Sequence, residues 1–336
     1  MEEGATRFTS LEVCAGGGGQ ALGLEQAGFE HVALVEIDKH SCETLRQNRP
    51  DWTVIEGDLK KFNGASYEGV DLLAGGVPCP PFSVAGKRLG AADERDLFPE
   101  VLRLTHEIRP NAVMIENVRG ILAREFDTYR AQFSSEVEAL GYRAMGWRLM
   151  NASDFGVPQL RPRAVFVALR EDLAEGFSWP EPLHGFEPTD GGVTFWREAP
   201  TVGEVLHDLM ASRGWLGADE WRERASKIAP TIVGGSRKHG GPDLGPTRAK
   251  RQWDEMGVNG RLIANEPPGP DFEGNPCLTV QMVARLQGFP DEWRFSSRKT
   301  AAYRQVGNAF PPPVARAVGG QILTALASSR KIQTAG

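Results

Sequence analysis

Cys79 stands in the stretch GGVPCPPFS, residues 75–83, between two prolines. Proline fixes its own φ and pushes the residue before it out of the α region. Val77, Cys79 and Pro80 each precede a proline, so this backbone is held extended. A cysteine on such a stiff loop can act as a nucleophile through its thiolate, or it can merely pack. The loop alone leaves both readings open. Two other stretches bear on the choice. MIENVRG, residues 114–120, ends an apolar run in Glu116 and Asn117. A carboxyl group beside a nucleophile serves as proton donor or hydrogen-bond clamp, although a solvent-facing strand end is the plainer alternative. QLRPR, residues 159–163, sets Arg161 and Arg163 two apart. On an extended segment both face the same side and would form a small cationic site.

A second constellation suits a nucleotide-like ligand. EVCAGGGGQALGLEQAG, residues 12–28, carries four consecutive glycines, Gly16 to Gly19, after a strand-like run. Glycines let backbone approach a ligand closely, yet the run is neither G-x-G-x-x-G nor a P-loop with its lysine. By itself it fits a cofactor loop and a tight structural turn equally. The next strand-like run ends in VEID, which puts Glu36 some twenty residues after the glycines, where doubly wound folds set a carboxylate on ribose hydroxyls. The third ends in EGD and offers Asp58 to an adenine amino group. Together these three features point to an adenosine-containing cofactor.

Strand and helix patterns alternate through the first 170 residues. Strands are expected at Phe8–Val13, His31–Ile37, Trp52–Glu56, Val70–Gly76, Ala112–Ile115, Tyr142–Met150 and Ala164–Leu169. Helical patterns cover Gln20–Gln26, Lys39–Asn48, Leu97–Ile108 and Thr128–Leu140. This alternation predicts an α/β fold, a doubly wound and mostly parallel sheet with helices on both faces. Ligands of such sheets bind beyond the carboxyl ends of the strands, where the Cys79 loop falls. Residues 177–276 are rich in proline, glycine and tryptophan with little periodicity, which predicts a separate, irregular lobe. Pro313–Ser329 reads as an amphipathic helix with proline at its start.

With 40% hydrophobic and 24% charged residues the chain suits a globular protein. It has no apolar run near the ~18 residues a membrane span needs. Residues 1–6 are polar and acidic, with no hydrophobic region behind them to suggest a secretory signal. The cysteines, Cys14, Cys42, Cys79 and Cys277, form no C-x-x-C pair, which argues against a zinc site or disulfide framework and for a reducing, cytoplasmic setting. The net charge of −6 disfavours a nucleic-acid partner only if charge is evenly spread. Residues 236–251, SRKHGGPDLGPTRAKR, carry five Lys/Arg against one Asp, compatible with one DNA-facing surface as well as with a solvated loop.

Taken in order, the glycine loop, VEID, EGD, GGVPCPPFS, ENV, QLRPR, ARLQGFPDEW (284–293) and YRQVGNAFPPPV (303–314) resemble the blocks of the DNA (cytosine-5)-methyltransferases, in particular those of bacterial restriction–modification systems. The resemblance spans nearly the whole chain. It implies a Rossmann-like S-adenosylmethionine-dependent methyltransferase fold with a second, smaller target-recognition domain. The catalytic domain would be discontinuous, 1–176 and 299–336, and the recognition domain would cover 177–298.

What the resemblance implies chemically is specific. Cys79 would add to C6 of a cytosine flipped out of the duplex, since the ring cannot be reached while stacked. Glu116 would engage cytosine N3, Asn117 would hold the loop, and Arg163, supported by Arg161, would contact the O2 edge. S-adenosyl-L-methionine, leaving as S-adenosyl-L-homocysteine, would be held by Cys14, Gly16, Gly17, Gly19, Glu36, Ile37, Asp58, Pro78 and Leu97, with Asn308 and Ala309 from the last block. No metal is implied. DNA would meet Ser83, Lys87 and Arg88 on a mobile lid, and Ser236, Arg237, Lys238, His239, Arg248, Lys250 and Arg251 in the basic stretch. ARLQGFPDEW would organise the join between the domains.

The chain departs from the family pattern twice. Cys14 stands where phenylalanine is usual, which removes an aromatic contact to adenine, and Pro80 where glutamine is usual, which removes a polar contact near the target nucleotide. Double-stranded DNA is the expected partner, the protein acting as a monomer in the bacterial cytoplasm, with a separate restriction endonuclease left open. The competing readings are an RNA cytosine methyltransferase on the same fold and an inactive DNA-binding relative. The long basic-bearing lobe argues against the first, and the intact set Cys79, Glu116 and Arg163 against the second. A dehydrogenase lacks its glycine fingerprint here, and an amino-methylating enzyme would need an Asp/Asn-Pro-Pro-aromatic motif.

Overall fold

A computed structural model describes residues 7–78, 96–189, 192–234, 242–296 and 298–335. The expected Cys79, Pro80, Ser83, Lys87, Arg88, Ser236, Arg237, Lys238 and His239 lie outside the described residues.

Strand β1 (Phe8–Val13) runs into the glycine loop and helix α1 (Gly19–Ala27), which opens at Gly18 and closes at Gly28, both in the left-handed region that glycine tolerates. Strand β2 (Phe29–Glu36) leads to α2 (Lys39–Asn48), whose first turn is capped by the Asp38 carboxylate accepting from the Ser41 amide at 3.1 Å. Then come β3 (Val54–Glu56), β4 (Leu72–Gly75), α3 (Phe98–Ile108), β5 (Ala112–Val118), α4 (Asp127–Ala139), β6 (Tyr142–Asn151) and β7 (Pro162–Arg170). These seven strands form one sheet in the order β3-β2-β1-β4-β5-β7-β6. Strands β1 to β5 pair in parallel, and β7 returns antiparallel to β5 with Asn117 opposite Ala164. The strand order reverses between β1 and β4, so the crevice for a ligand lies beyond their carboxyl ends.

Two apolar clusters clothe this sheet. One joins Leu11, Val13, Val35 and Leu73 to Leu104 and Ile108. The other joins Val113, Ile115 and Phe166 to Phe98, Tyr129 and Phe133. In the second, the Phe133 ring meets those of Phe98 and Phe166 edge-on at 5.0 Å. Emptying such an aromatic position costs about 3–5 kcal/mol.

The chain divides into two compact units. The first takes the chain up to Met150, Pro162–Pro180 and the chain from Ala315; the second takes Asn151–Arg161 and Glu181–Val314. Residues 151–161 and 299–314, expected with the catalytic domain, thus lie in the second unit, and 177–180 in the first. Helix α10 (Pro312–Ala335) contributes its larger part to the first unit. There Gly319 sits so close to α1 that an added Cβ would be 2.7 Å from Leu24 Cδ2.

The second unit is more regular than its sequence suggests. After the hairpin β8 (Gly185–Thr189) and β9 (Gly192–Arg197) come α5 (Val202–Ala211), α6 (Ala218–Arg224), α7 (Thr247–Glu255), α8 (Val280–Leu286) and α9 (Lys299–Asn308). Helix α5 starts in a capping box between Thr201 and Glu204, and Val202, Leu206 and Met210 are buried on one face. Each of these helices is ten residues or shorter, too brief to impose a long periodic pattern on a proline- and glycine-rich stretch.

Candidate active site

The crevice of the first unit is lined by backbone turns that the glycines permit. Cys14 and Gly16 both carry positive φ, 54° and 55°, so the chain leaves β1 through a left-handed bend. Nothing lies within 4 Å of where a Gly16 Cβ would stand, which leaves open space at the loop. Glu36, at the end of β2, ties that loop down, accepting from the Gly16 amide and the Asp38 amide at 2.7 Å each. Burial pushes its carboxyl above the usual range, against the lowering effect of those amides and that of Ile37. Beside it Ile37 is 68% exposed, an apolar side chain left open at the strand end. Asp58 follows β3 and accepts from the Lys60 amide at 3.0 Å. Cys14 is half-buried, and burial, then Glu36, Glu12 and Asp58, push its thiol up to about 12, so it is no thiolate at neutral pH.

A residue that the sequence reading missed lies directly beneath this loop. Glu12 is buried at the end of β1, and among the described residues none donates a hydrogen bond of ordinary geometry to its carboxylate oxygens. Desolvation, then the Glu36 charge, hold its pKa well above the carboxylate range, with only the Ala21 backbone opposing. Its signal in the sequence was one acidic residue in the otherwise apolar run leading into the glycines. The surroundings of the loop are therefore acidic, which favours a cationic ligand and opposes a pyrophosphate.

The second half of the site stands where β4, β5 and β7 meet. Glu116, near the end of β5, forms an ion pair with Arg163 near the start of β7, Nε to Oε1 at 2.9 Å, each side chain only 11% exposed. Burial lowers the Arg163 pKa, and the Glu116 charge opposes that shift. The loop after β4 passes close by, since a Cβ on Gly76 would lie 3.3 Å from Glu116 Oε2. Asn117 donates through Nδ2 to the Val77 carbonyl at 3.0 Å, fixing the backbone two residues before Cys79. Pro78 is exposed there.

Leu97 is half-buried against both apolar clusters and opens α3. Just before it, buried Asp96 accepts from the Tyr129 hydroxyl at 2.7 Å and the Phe98 amide at 3.1 Å. This anchor went unread, although an aspartate just before a helix is a recognised start signal.

Arg161 corrects an expectation. It does not share a cationic face with Arg163: it belongs to the second unit, fully buried, and donates to the carbonyls of Ile232, Gly307 at 2.7 Å and Ala309 at 2.9 Å. The two-residue alternation fails because β7 begins only at Pro162, one residue after it. Asn308 is exposed and Ala309 buried at the end of α9. Arg248 and Arg251 are exposed on α7, whereas Lys250 is engaged with Asp243 at 2.7 Å. Among the described residues no His, Cys, Asp and Glu cluster suits a metal ion, and no helix is long and apolar enough to cross a membrane.

Known proteins extend this picture. A family model described as C-5 cytosine-specific DNA methylase matches residues 8–324. The Type II methyltransferase M.NgoMIV of Neisseria gonorrhoeae is 53% identical over 327 residues, which are 95% of this chain and 98% of that protein. M.NaeI of Lentzea aerocolonigenes is 54% identical over 322 residues, 94% of this chain and 75% of that one. Among solved structures, a mutant of DNMT2 from Spodoptera frugiperda covers 94% of this chain and 99% of its own with a TM-score of 0.64. At 19% identity that likeness speaks to the fold alone.

The fold is thus of the doubly wound α/β type shared with that structure. The chain belongs to the C-5 cytosine-specific DNA methylases, and it is a DNA (cytosine-5)-methyltransferase. The family, fold class and enzyme class expected from the sequence are borne out.

Proposed function

We propose that the protein methylates C5 of a cytosine flipped from double-stranded DNA, with Cys79 as covalent nucleophile and S-adenosyl-L-methionine as donor. The observation that carries this reading is the buried Glu116–Arg163 pair standing beside the loop that Asn117 holds two residues before Cys79.

The residues at the crevice fit the donor. Glu36 accepts two amides, yet each carboxylate oxygen can still accept from a ribose hydroxyl. Exposed Ile37 offers an apolar face to adenine, Asp58 an acceptor to its amino group, and the open space at Gly16 room for the methionine end, with Gly17 and Gly19 beside it in the loop. Cys14, Pro78 and Leu97 would line the pocket. The acidity around the loop suits a ligand carrying a sulfonium and an ammonium group. When bound, the donor supplies an electrophilic methyl group.

The chain's own residues make the cytosine ring able to accept it. The Cys79 thiolate adds at C6, and the ring becomes an enamine with electron density at C5. Glu116 passes a proton to N3 and so draws charge off the ring as the thiolate adds. Arg163, oriented by its pair with Glu116, addresses the O2 edge. After methylation the C5 proton leaves and the C6–S bond breaks, which frees the thiolate and 5-methylcytosine.

The second unit, with its basic residues Arg248 and Arg251 exposed on α7, would recognise the DNA, together with Ser236, Arg237, Lys238 and His239, and Lys87, Arg88 and Ser83 would reach the phosphates. The likeness to Type II methyltransferases supports a role in a restriction–modification system, with the endonuclease acting separately and this enzyme working as a monomer in the cytoplasm.

The test is incubation of mixed-sequence DNA with labelled S-adenosylmethionine, followed by bisulfite mapping. Label confined to C5 of cytosine in one short context is the expected result. Cofactor binding without transfer to DNA would overturn the reading.

A further inference from the structure

Gly234 and Asp243, described residues on either side of 235–241, both rest on one face of one helix. The backbone of Gly234 lies directly on α9: a Cβ on Gly307 would be 2.4 Å from the Gly234 Cα and N. A Cβ on Gly234 would in turn stand 2.4 Å from Asn308 Oδ1 and 2.6 Å from the Arg304 carbonyl. Only a pair of glycines allows backbones to cross at that distance. The Tyr303 hydroxyl donates to the Asp243 carbonyl at 2.5 Å, and Lys250 of α7 pairs with the same residue's carboxylate. Tyr303 and Gly307 are four residues apart on α9, one turn along a single face. Gly234 and Asp243 thus rest on points one helical turn apart.

The approach to Gly234 is fixed as firmly. Gln159 accepts from the Ile232 amide at 2.8 Å and donates to Gln287 Oε1 at 2.7 Å, and Gln287 donates to the Val306 carbonyl of α9 at 2.8 Å. Arg161 closes the ring by bridging the Ile232 carbonyl to those of Gly307 and Ala309. All three side chains are fully buried, and a buried amide or guanidinium retains its partners because leaving them unmet costs more than the bond itself gains.

We infer that Tyr303 and Gly307 are positioning residues for sequence recognition: α9 sets where residues 231–234 and 242–253 stand, through one hydroxyl and one glycine crossing. Gln159, Arg161 and Gln287 hold the approach to it. The inference rests on the reading of 231–253 as the segment that reads DNA.

Tyr303→Phe removes one hydroxyl and keeps the ring, so it is the gentle test; Gly307→Ala forces the crossing apart and is the severe one. Each is assayed for the KM for DNA, for discrimination in bisulfite maps between the preferred site and sites one base away, for S-adenosylhomocysteine affinity and for Tm. In Tyr303→Phe the DNA KM is expected to rise, or discrimination to fall, roughly fivefold, the worth of one hydrogen bond, with cofactor affinity unchanged. Gly307→Ala should exceed that. A merely structural role lowers Tm but leaves discrimination intact, and intact discrimination in both folded variants overturns the inference. Arg248→Ala separates the two readings. If it too leaves DNA recognition untouched, the DNA-reading assignment fails; if it alone alters recognition, only the pinning by α9 fails.

Discussion

Asn117 on β5 and Val77 in the loop after β4 are joined, the side-chain amide of one donating to the carbonyl of the other at 3.0 Å, while the Asn117 Oδ1 accepts from the Val118 amide at 2.9 Å. The side chain thus spends both of its ends on backbone. It fixes the path of the chain into Cys79 without contributing a charge. Asn117→Ala should leave S-adenosylhomocysteine affinity within about twofold and lower stability by about 1–2 kcal/mol, the cost of a lost buried hydrogen bond. Its kcat for methyl transfer should fall at least tenfold, since small misplacements of a reacting group are expensive. A stopped assay alongside calorimetric titration measures both; equal losses in kcat and cofactor affinity would refute a loop-positioning role.

Cys79→Ser tests the nucleophile itself. Methyl transfer should disappear while cofactor affinity persists, because no cofactor contact is assigned to the sulfur. Undiminished turnover of the serine variant would sink the covalent mechanism.

The Glu116–Arg163 pair couples chemistry to stability. Removing one partner of a buried pair leaves the other charge uncompensated and costs about 3–5 kcal/mol. Arg163→Ala should therefore lower Tm visibly as well as kcat. Arg163→Lys keeps the charge but loses the planar fork; it should lower kcat by about a hundredfold with a smaller fall in Tm. Thermal melts with single-turnover rates separate the two effects.

The acidic floor of the crevice makes the free enzyme sensitive to pH. Glu12 and Glu36 both have raised carboxyl pKa values, chiefly from burial. Above about pH 4.5, the ordinary carboxylate value, the unfolded chain gives up these protons before the folded one does. The folded state then binds more protons, so stability falls as pH rises from that point through the raised values. Glu12→Gln removes the buried ionisation and should raise the Tm of the cofactor-free enzyme at pH 8 by about 2–4 °C for each kcal/mol relieved. The gap should narrow toward pH 5. A Tm difference that is flat with pH would show that Glu12 does not titrate in this range.

Exposed Arg248 is expected to meet phosphate or a base edge. Arg248→Ala should weaken DNA binding and, if the contact is to phosphate, reduce the slope of log affinity against log salt by about one. Cofactor affinity should not move.

Much of the first unit could be read because its local signals agree with its tertiary environment. β1 and α2 fall at the expected limits, Phe8–Val13 and Lys39–Asn48, since one is an apolar run stopped by glycines and the other starts at a capping aspartate. β5 runs on from the expected Ile115 to Val118 because Glu116 and Asn117, polar by type, are buried by their partners on β7 and β4. Polarity is a poor guide where side chains satisfy one another. Arg161 misled for the same reason: nothing local reveals that three carbonyls from distant segments surround it. Glu12 was hidden in the opposite way, as a charge in a buried strand whose meaning depends on the loop folded above it.

Helix α10 follows every other element in the chain, yet Gly319 seats on Leu24 and Ala27, and Leu323 reaches Gly28, in the unit that the first strands begin. During synthesis the second unit has all its residues once Val314 emerges, while the first still waits for its last helix. The apolar flank of α1 stays bare until then. A chain cut short before Ala315 therefore holds every residue of the second unit but a first unit without its last helix, and trimming the chain from its far end strikes the packing of α1 in the first unit before it touches the second.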